Sequence, residues 1–76
     1  MKKYFFDLVS PQRKEFDFRG CEFSNPETAF QQAELLALDL CIEPESKWLG
    51  WTVEVRNTYG LQLFAMPVPD SELVAA

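Results

Sequence analysis

The sequence predicts an α+β domain of order ββαββ, in which one helix packs on one face of a four-stranded antiparallel sheet. Two segments of alternating hydrophobicity precede a stretch with helical periodicity, two more follow it, and turn-forming residues separate each pair. The 76 residues are 47% hydrophobic and 25% charged, which is typical of one globular domain. We therefore assign 1–76 to a single domain, with 70–76 a short helical turn or a frayed end.

The first hairpin is expected to contain strands at 3–9 and 14–19, joined by a turn that Pro11 favours. One face of the first strand is wholly apolar and should meet the core; it carries Tyr4, Phe6 and Leu8. In the second strand the alternation predicts that Phe16 and Phe18 point inward. Gly20 then ends the strand or permits a bulge.

The helix is predicted over 26–42. Asn25 can cap its first turn, Pro26 suits the first helical position, and Pro44 prevents continuation. At 100° per residue one broad face should meet the sheet; it contains Ala29, Phe30, Ala33, Leu36, Ala37 and Leu40.

The second hairpin follows a loop at 43–50, in which Trp48 and Leu49 are expected to fold over the edge of the core. Its strands are predicted at 51–56 and 61–66, with Trp51, Val53 and Val55 pointing inward. A turn at 57–60 joins the strands, and Gly60 supplies its positive φ. In the simplest right-handed arrangement the strands lie in the order 2-1-3-4.

The charge distribution argues against nucleic acid as a partner, because the net charge is −5 and phosphate binding depends on basic residues. Residues 1–19 carry five basic and three acidic side chains, a net of +2, whereas 20–76 carry a net of −7. The basic end is interpreted as a solvated surface, with an anion site as the alternative.

Cysteine and histidine usage excludes ordinary structural zinc sites. The chain has no histidine, and Cys21 and Cys41 do not have zinc-ligand spacing, so we predict no metal or other cofactor. The N-terminus lacks the apolar segment of a signal peptide, and no apolar run is long enough to span a membrane. We expect a cytoplasmic protein with reduced thiols and no membrane partner.

Three acidic residues, Asp7, Asp17 and Glu22, are the candidates for chemistry. The first hairpin could bring Asp7 and Asp17 together, and neighbouring carboxylates can bind a hard cation or transfer protons. The alternative is that they are solvated strand positions and a turn. No basic, nucleophilic or imidazole partner accompanies them in sequence, which favours a non-catalytic role without excluding an enzyme.

A second apolar stripe on the helix is the candidate interface. Leu35, Leu38 and Ile42 lie within about 60° of one another, on the face opposite the core. Either the loop containing Trp48 covers them or another chain does, and we expect a homodimer, the commonest soluble oligomer. A second possible contact surface is the other sheet face, to which we assign Phe5, Val9, Phe64 and Met66.

Three functions follow from these features. The leading hypothesis is a non-catalytic, self-associating protein-interaction module. The second is an antitoxin-like or regulatory protein whose acidic body masks a basic partner. The third is a small metal-binding or enzymatic domain that uses the three acidic residues.

Several short motifs resemble a family of small bacterial domains. The motifs are Lys3-Tyr4-Phe5-Phe6-Asp7, Asp17-x-x-Gly20-x-Glu22, the helical Ala29 and Ala33, Gly50-Trp51-x-Val53-Glu54-Val55 and Asn57-x-x-Gly60. Together they look like domain of unknown function 6894, although Asn57 stands where an Asp is frequent and Pro67-Val68 reverses the usual Val-Pro. The resemblance implies a stand-alone domain and carries over no active site. The strand–strand–helix–strand order also resembles HicB-type antitoxin domains, without their DNA-binding segment.

Overall fold

The computed structural model describes residues 1–43 and 47–69. It contains one helix and an antiparallel sheet, which confirms the α+β class, but the sheet has five strands where four were predicted. The elements in chain order are β1 (Lys2–Val9), β2 (Lys14–Glu15), β3 (Cys21–Phe23), α1 (Pro26–Cys41), β4 (Thr52–Asn57) and β5 (Gln62–Pro67). The prediction for 70–76 lies outside the described residues.

Strand β1 occupies the centre of the sheet. Leu8 pairs with both Glu15 of β2 and Val53 of β4, so β2 lies on one edge of β1 and β4 on the other. Strand β3 lies on the same edge of β1 as β2, because it pairs with the opposite end of β1. Strand β5 completes the sheet beyond β4. The predicted order is therefore confirmed, with β2 and β3 together in the place of the second strand.

The prediction of a continuous strand over 14–19 is wrong. Pairing with β1 stops after Glu15, and the chain leaves the ladder until Cys21. Phe16 and Phe18 are not in the core, since 50% and 88% of their surfaces are exposed. The physical reason is a contact between residues 11 positions apart: the Asp17 carboxylate, and not a strand backbone, accepts a hydrogen bond from the Phe6 N–H at 3.2 Å.

Small side chains bring the helix close to the sheet. Ala29, Ala33 and Ala37 of α1 are at most 1% exposed, and they face Val53 and Val55 of β4, which are fully buried. Larger side chains close the core around this contact, among them Tyr4, Phe6, Phe23, Leu36, Leu40 and Trp51. The predicted core face of the helix and the inward face of β4 are confirmed.

Both ends of α1 follow the signals in the sequence. The Asn25 side chain accepts a hydrogen bond from the Thr28 N–H at 2.9 Å, which satisfies one of the free donors of the first turn. The helix begins at Pro26 and ends at Cys41, one residue before the predicted end. No helix among the described residues is long and apolar enough to cross a membrane.

The β4–β5 turn forms as predicted, and Gly60 has a φ of +84°. The N–H groups of Tyr59 and Leu61 both donate to the Asn57 side-chain oxygen. The assignment of Phe64 and Met66 to the outer face is wrong, because an irregularity near Leu63 shifts the register. Phe64 consequently pairs with Val55 on the helix side of the sheet, and Met66 packs against the core.

Candidate interaction surface

The exposed face of α1 carries the three side chains predicted to form an interface. Leu35, Leu38 and Ile42 are 56%, 41% and 71% exposed. They lie on the side of the helix directly away from the buried alanines, because positions 35, 38 and 42 share one face at helical spacing. We call these three residues the α1 stripe. An aligned set of large aliphatic side chains in water is typical of a contact surface.

Acidic side chains border the α1 stripe. Glu27, Glu34 and Asp39 are all exposed, and the helix contains no lysine or arginine. At 100° per residue Glu27 and Glu34 lie on one side of the stripe and Asp39 on the other. The outer face of α1 therefore carries an apolar stripe with negatively charged side chains on both sides.

The loop after α1 does not cover the stripe with any residue that the structure describes. Trp48 packs against the core, and its ring lies edge-on to Trp51 at 5.0 Å between centroids. Its indole N–H donates to Glu43 at 2.6 Å. The prediction that Trp48 folds over the core edge is confirmed, whereas Leu49, which is 54% exposed, does not join it.

The acidic candidates Asp7 and Asp17 do come together, as predicted. The backbone N–H of Asp17 donates to Oδ1 of Asp7 at 2.9 Å. Asp7 is only 1% exposed, although it lies on the sheet face opposite the helix, and Oδ2 of Asp7 lies 2.7 Å from Nε of Arg56. Both carboxylate oxygens of Asp7 are thus engaged within the protein.

Arg56 is the residue that sequence reasoning missed. Its guanidinium lies 4.4 Å from the ring centroid of Phe5 and 5.9 Å from that of Phe16, so both aromatic rings are within cation–π distance. Its Nη2 also donates to the backbone oxygen of Asp17 at 3.0 Å. A signal was present: Asp7 and Arg56 both point to the outer face of neighbouring strands, where diagonal side chains are within reach.

Asp17 is held as a carboxylate by the backbone around it. Burial alone raises its pKa, but hydrogen bonds from the N–H groups of Gly20, Phe6 and Arg19 outweigh that effect. The positive charge of Arg56 adds to them, so the pKa of Asp17 lies below its ordinary value. Through these hydrogen bonds the Asp17 side chain stabilises the turn over 16–20.

Glu22 does not join the acidic pair. It is exposed on β3, where it pairs with Lys3. Among residues 1–43 and 47–69, no group of three or more acidic, cysteine or histidine side chains is placed to hold a metal ion. Cys21 is exposed and Cys41 is buried, and both are free thiols. Of the three predicted acidic residues, Asp7 and Asp17 therefore form a structural pair, and Glu22 is a separate surface residue.

The described residues define a small α+β domain in which α1 packs on a sheet centred on β1 and carries an apolar stripe on its outer face. The chain belongs to the family described as domain of unknown function (DUF6894), whose model matches residues 3–69. The family resemblance is therefore confirmed. No curated protein and no solved structure matches the chain, and the likeness to HicB-type antitoxins stays a prediction.

Proposed function

We propose that this chain is a non-catalytic protein-interaction module that self-associates through the α1 stripe. The observation that carries the proposal is the exposure of Leu35, Leu38 and Ile42 on one helix face. Complete burial of such a side chain is worth about 1.5–3 kcal/mol, and these three have between 41% and 71% of their surface left to bury. A second copy of the chain supplies a matching surface.

An antiparallel pairing of two α1 helices fits the spacing of the stripe. In a two-fold dimer each copy presents the same patch, so the sequence positions of facing residues add to a constant. With a constant of 77, Leu35 of each copy faces Ile42 of the other, and the two Leu38 side chains lie on either side of the two-fold axis, one position out of register. The stripe is thus complementary to itself.

The burial and the hydrogen bonds of Asp7 and Asp17 support a non-catalytic role. Asp7 is buried and bound to Arg56, and Asp17 accepts three backbone hydrogen bonds. A catalytic acid, base or metal ligand needs oxygens that can reach a substrate or an ion. These carboxylates instead connect β1, β4 and the turn over 16–20.

Sedimentation of a charged variant tests the proposed dimer. The double substitution Leu35→Glu and Leu38→Glu should yield a monomer, while the wild-type chain sediments as a dimer. Leu49→Glu with Leu61→Glu is the matched control, because those leucines are 54% and 61% exposed and do not belong to the α1 stripe. An unchanged mass of the folded stripe variant, or equal loss of mass in both variants, would refute the proposal.

A second candidate is binding of a basic protein, and the acidic border of the stripe favours it. Because α1 has no basic side chain, its edges attract a positively charged partner and repel a second copy. Coexpression with a basic protein encoded beside it should then give a complex that is lost on Glu34→Gln with Asp39→Asn. A cytoplasmic location, and the absence of nucleic-acid or membrane partners, stay predictions.

A further inference from the structure

A cleft of about 510 Å³ opens at the end of the sheet where β1 begins. The start of β1 and the β4–β5 turn form its walls through Lys2, Lys3, Tyr4, Asn57, Thr58 and Tyr59. Its volume falls within the range of roughly 300–1,000 Å³ that is usual for small-molecule sites. None of the stripe residues lines it, so its role is independent of self-association.

Tyr4 places a polar group at the base of this cleft. The residue is 2% exposed, and its ring packs at 6.1 Å from that of Phe23. No residue in the described part of the chain forms a hydrogen bond with its hydroxyl, whereas buried tyrosines usually have one. Among the described residues the hydroxyl is not a fully buried atom without a partner, and Tyr4 lines the cleft.

The charged side chains that line the cleft are all positive. Lys2 and Lys3 both line it, no acidic residue does, and neither lysine forms a salt bridge with a described residue. Pro26, the first residue of α1, also borders the cleft, so the positive end of the helix dipole adds to the same potential. A positive cleft on a chain of net charge −5 is a local feature and not the average surface.

Neutral groups complete the cleft. Thr58 contributes a hydroxyl, and the Asn57 side chain, whose oxygen accepts two backbone N–H groups, has its amide NH₂ left to donate. Leu63 and the ring of Tyr59 provide apolar surface. The lining therefore combines donors and positive charge with an apolar wall.

We propose that this cleft binds a small organic anion, a carboxylate or a phosphate ester with an apolar body. Lys2, on the same side of β1 as Tyr4, attracts the anionic group, and the Tyr4 hydroxyl donates a hydrogen bond to it. Lys3, whose side chain lies beside Phe5 on the other side of β1, adds to the positive potential from further away. The apolar body packs against Leu63 and Tyr59.

Titration of ¹⁵N-labelled protein with phenyl phosphate and with benzoate tests the proposal, with benzyl alcohol as the neutral control. At least one anion should cause saturable shifts of the Tyr4, Thr58 and Tyr59 amide signals, and the stronger of the two identifies the preferred head group. Tyr4→Phe keeps the core ring and should weaken binding about three- to tenfold. Lys2→Gln with Lys3→Gln should weaken it about tenfold or more.

Lys14→Gln is the matched charge control, because Lys14 pairs with Val9 at the other end of β1, roughly 20 Å from Lys2. It should leave binding unchanged. The proposal is overturned if neither anion gives saturable shifts, if benzyl alcohol binds equally well, or if Lys14→Gln weakens binding as much as the substitutions in the cleft. In that last case only the overall charge attracts the anion.

Discussion

Nε of Arg56 lies 2.7 Å from Oδ2 of Asp7, and this ion pair joins β1 to β4 across 49 positions of sequence. The carboxylate is 1% exposed, and Phe5 and Phe16 lie within 6 Å of the guanidinium. The same arginine binds the backbone of Asp17, so one side chain connects the sheet to the turn over 16–20. Among the described residues, this polar cluster covers the Asp7 carboxylate on the outer face of the sheet.

Arg56→Ala should destabilise the fold by about 3–5 kcal/mol, because it leaves the buried Asp7 carboxylate without its counter-charge. Urea unfolding followed by tryptophan fluorescence measures the change. Arg13→Ala is the control, since that side chain is 71% exposed and lies 3.8 Å from Glu15, and its effect should stay within about 0.5 kcal/mol. Equal effects of the two substitutions would show that the Asp7–Arg56 pair has no special role.

The depressed pKa of Asp17 makes stability depend on pH. A carboxyl whose folded pKa lies below its ordinary value of 3.8 stabilises the fold above that value, and the contribution disappears as the pH falls through the folded pKa. We expect Asp17→Asn to lower stability at neutral pH by about 1 kcal/mol. The difference from the wild type should shrink below pH 4. Urea unfolding across this pH range tests the prediction, which a constant difference would contradict.

Gly20 is required by both its backbone conformation and its surroundings. Its φ is +72°, and an added Cβ would lie 3.0 Å from the Tyr4 carbonyl oxygen and from side-chain atoms of Lys3 and Phe5. Gly60→Ala is the control, because Gly60 also has a positive φ but has open space around it. We expect a loss of about 1 kcal/mol for Gly60→Ala and about 2–3 kcal/mol for Gly20→Ala in thermal unfolding. Equal losses would show that the close contacts do not matter.

Ionic strength should separate the two candidate functions. In a dimer built on α1, the acidic borders of two copies approach each other, so added salt should tighten association by about two- to tenfold. Binding of a basic partner should instead weaken with salt. Sedimentation equilibrium in low and high salt measures the first effect. Weakening of the dimer by salt would contradict an interface centred on the α1 stripe.

Local signals explain which elements could be predicted from sequence. The helix has a capping Asn25 and a run of alanines on one face, and the β4–β5 turn has Asn57 and Gly60 at the positions that it requires. These signals act within a few residues. The helix and the second hairpin therefore appear almost where the pattern predicts them, and the α1 stripe is exposed as the periodicity implies.

Interactions between distant residues explain the errors. Alternation alone favours a strand through Phe16 and Phe18, but the Asp17 side chain takes the Phe6 N–H and turns the chain away from the ladder. Arg56 looks like an ordinary polar strand position until the register places it beside Asp7. The cleft at Tyr4 was likewise hidden, because it depends on how the β4–β5 turn meets the start of β1.

The central claim is that the α1 stripe is buried in a dimer of this chain. Native mass spectrometry of the wild-type protein, purified without denaturation over a range of concentrations, tests it most directly. We predict a dimer whose proportion grows with concentration and which disappears on Leu35→Glu with Leu38→Glu. A wild-type chain that stays monomeric at every concentration, alone or bound to a different protein, would contradict the claim.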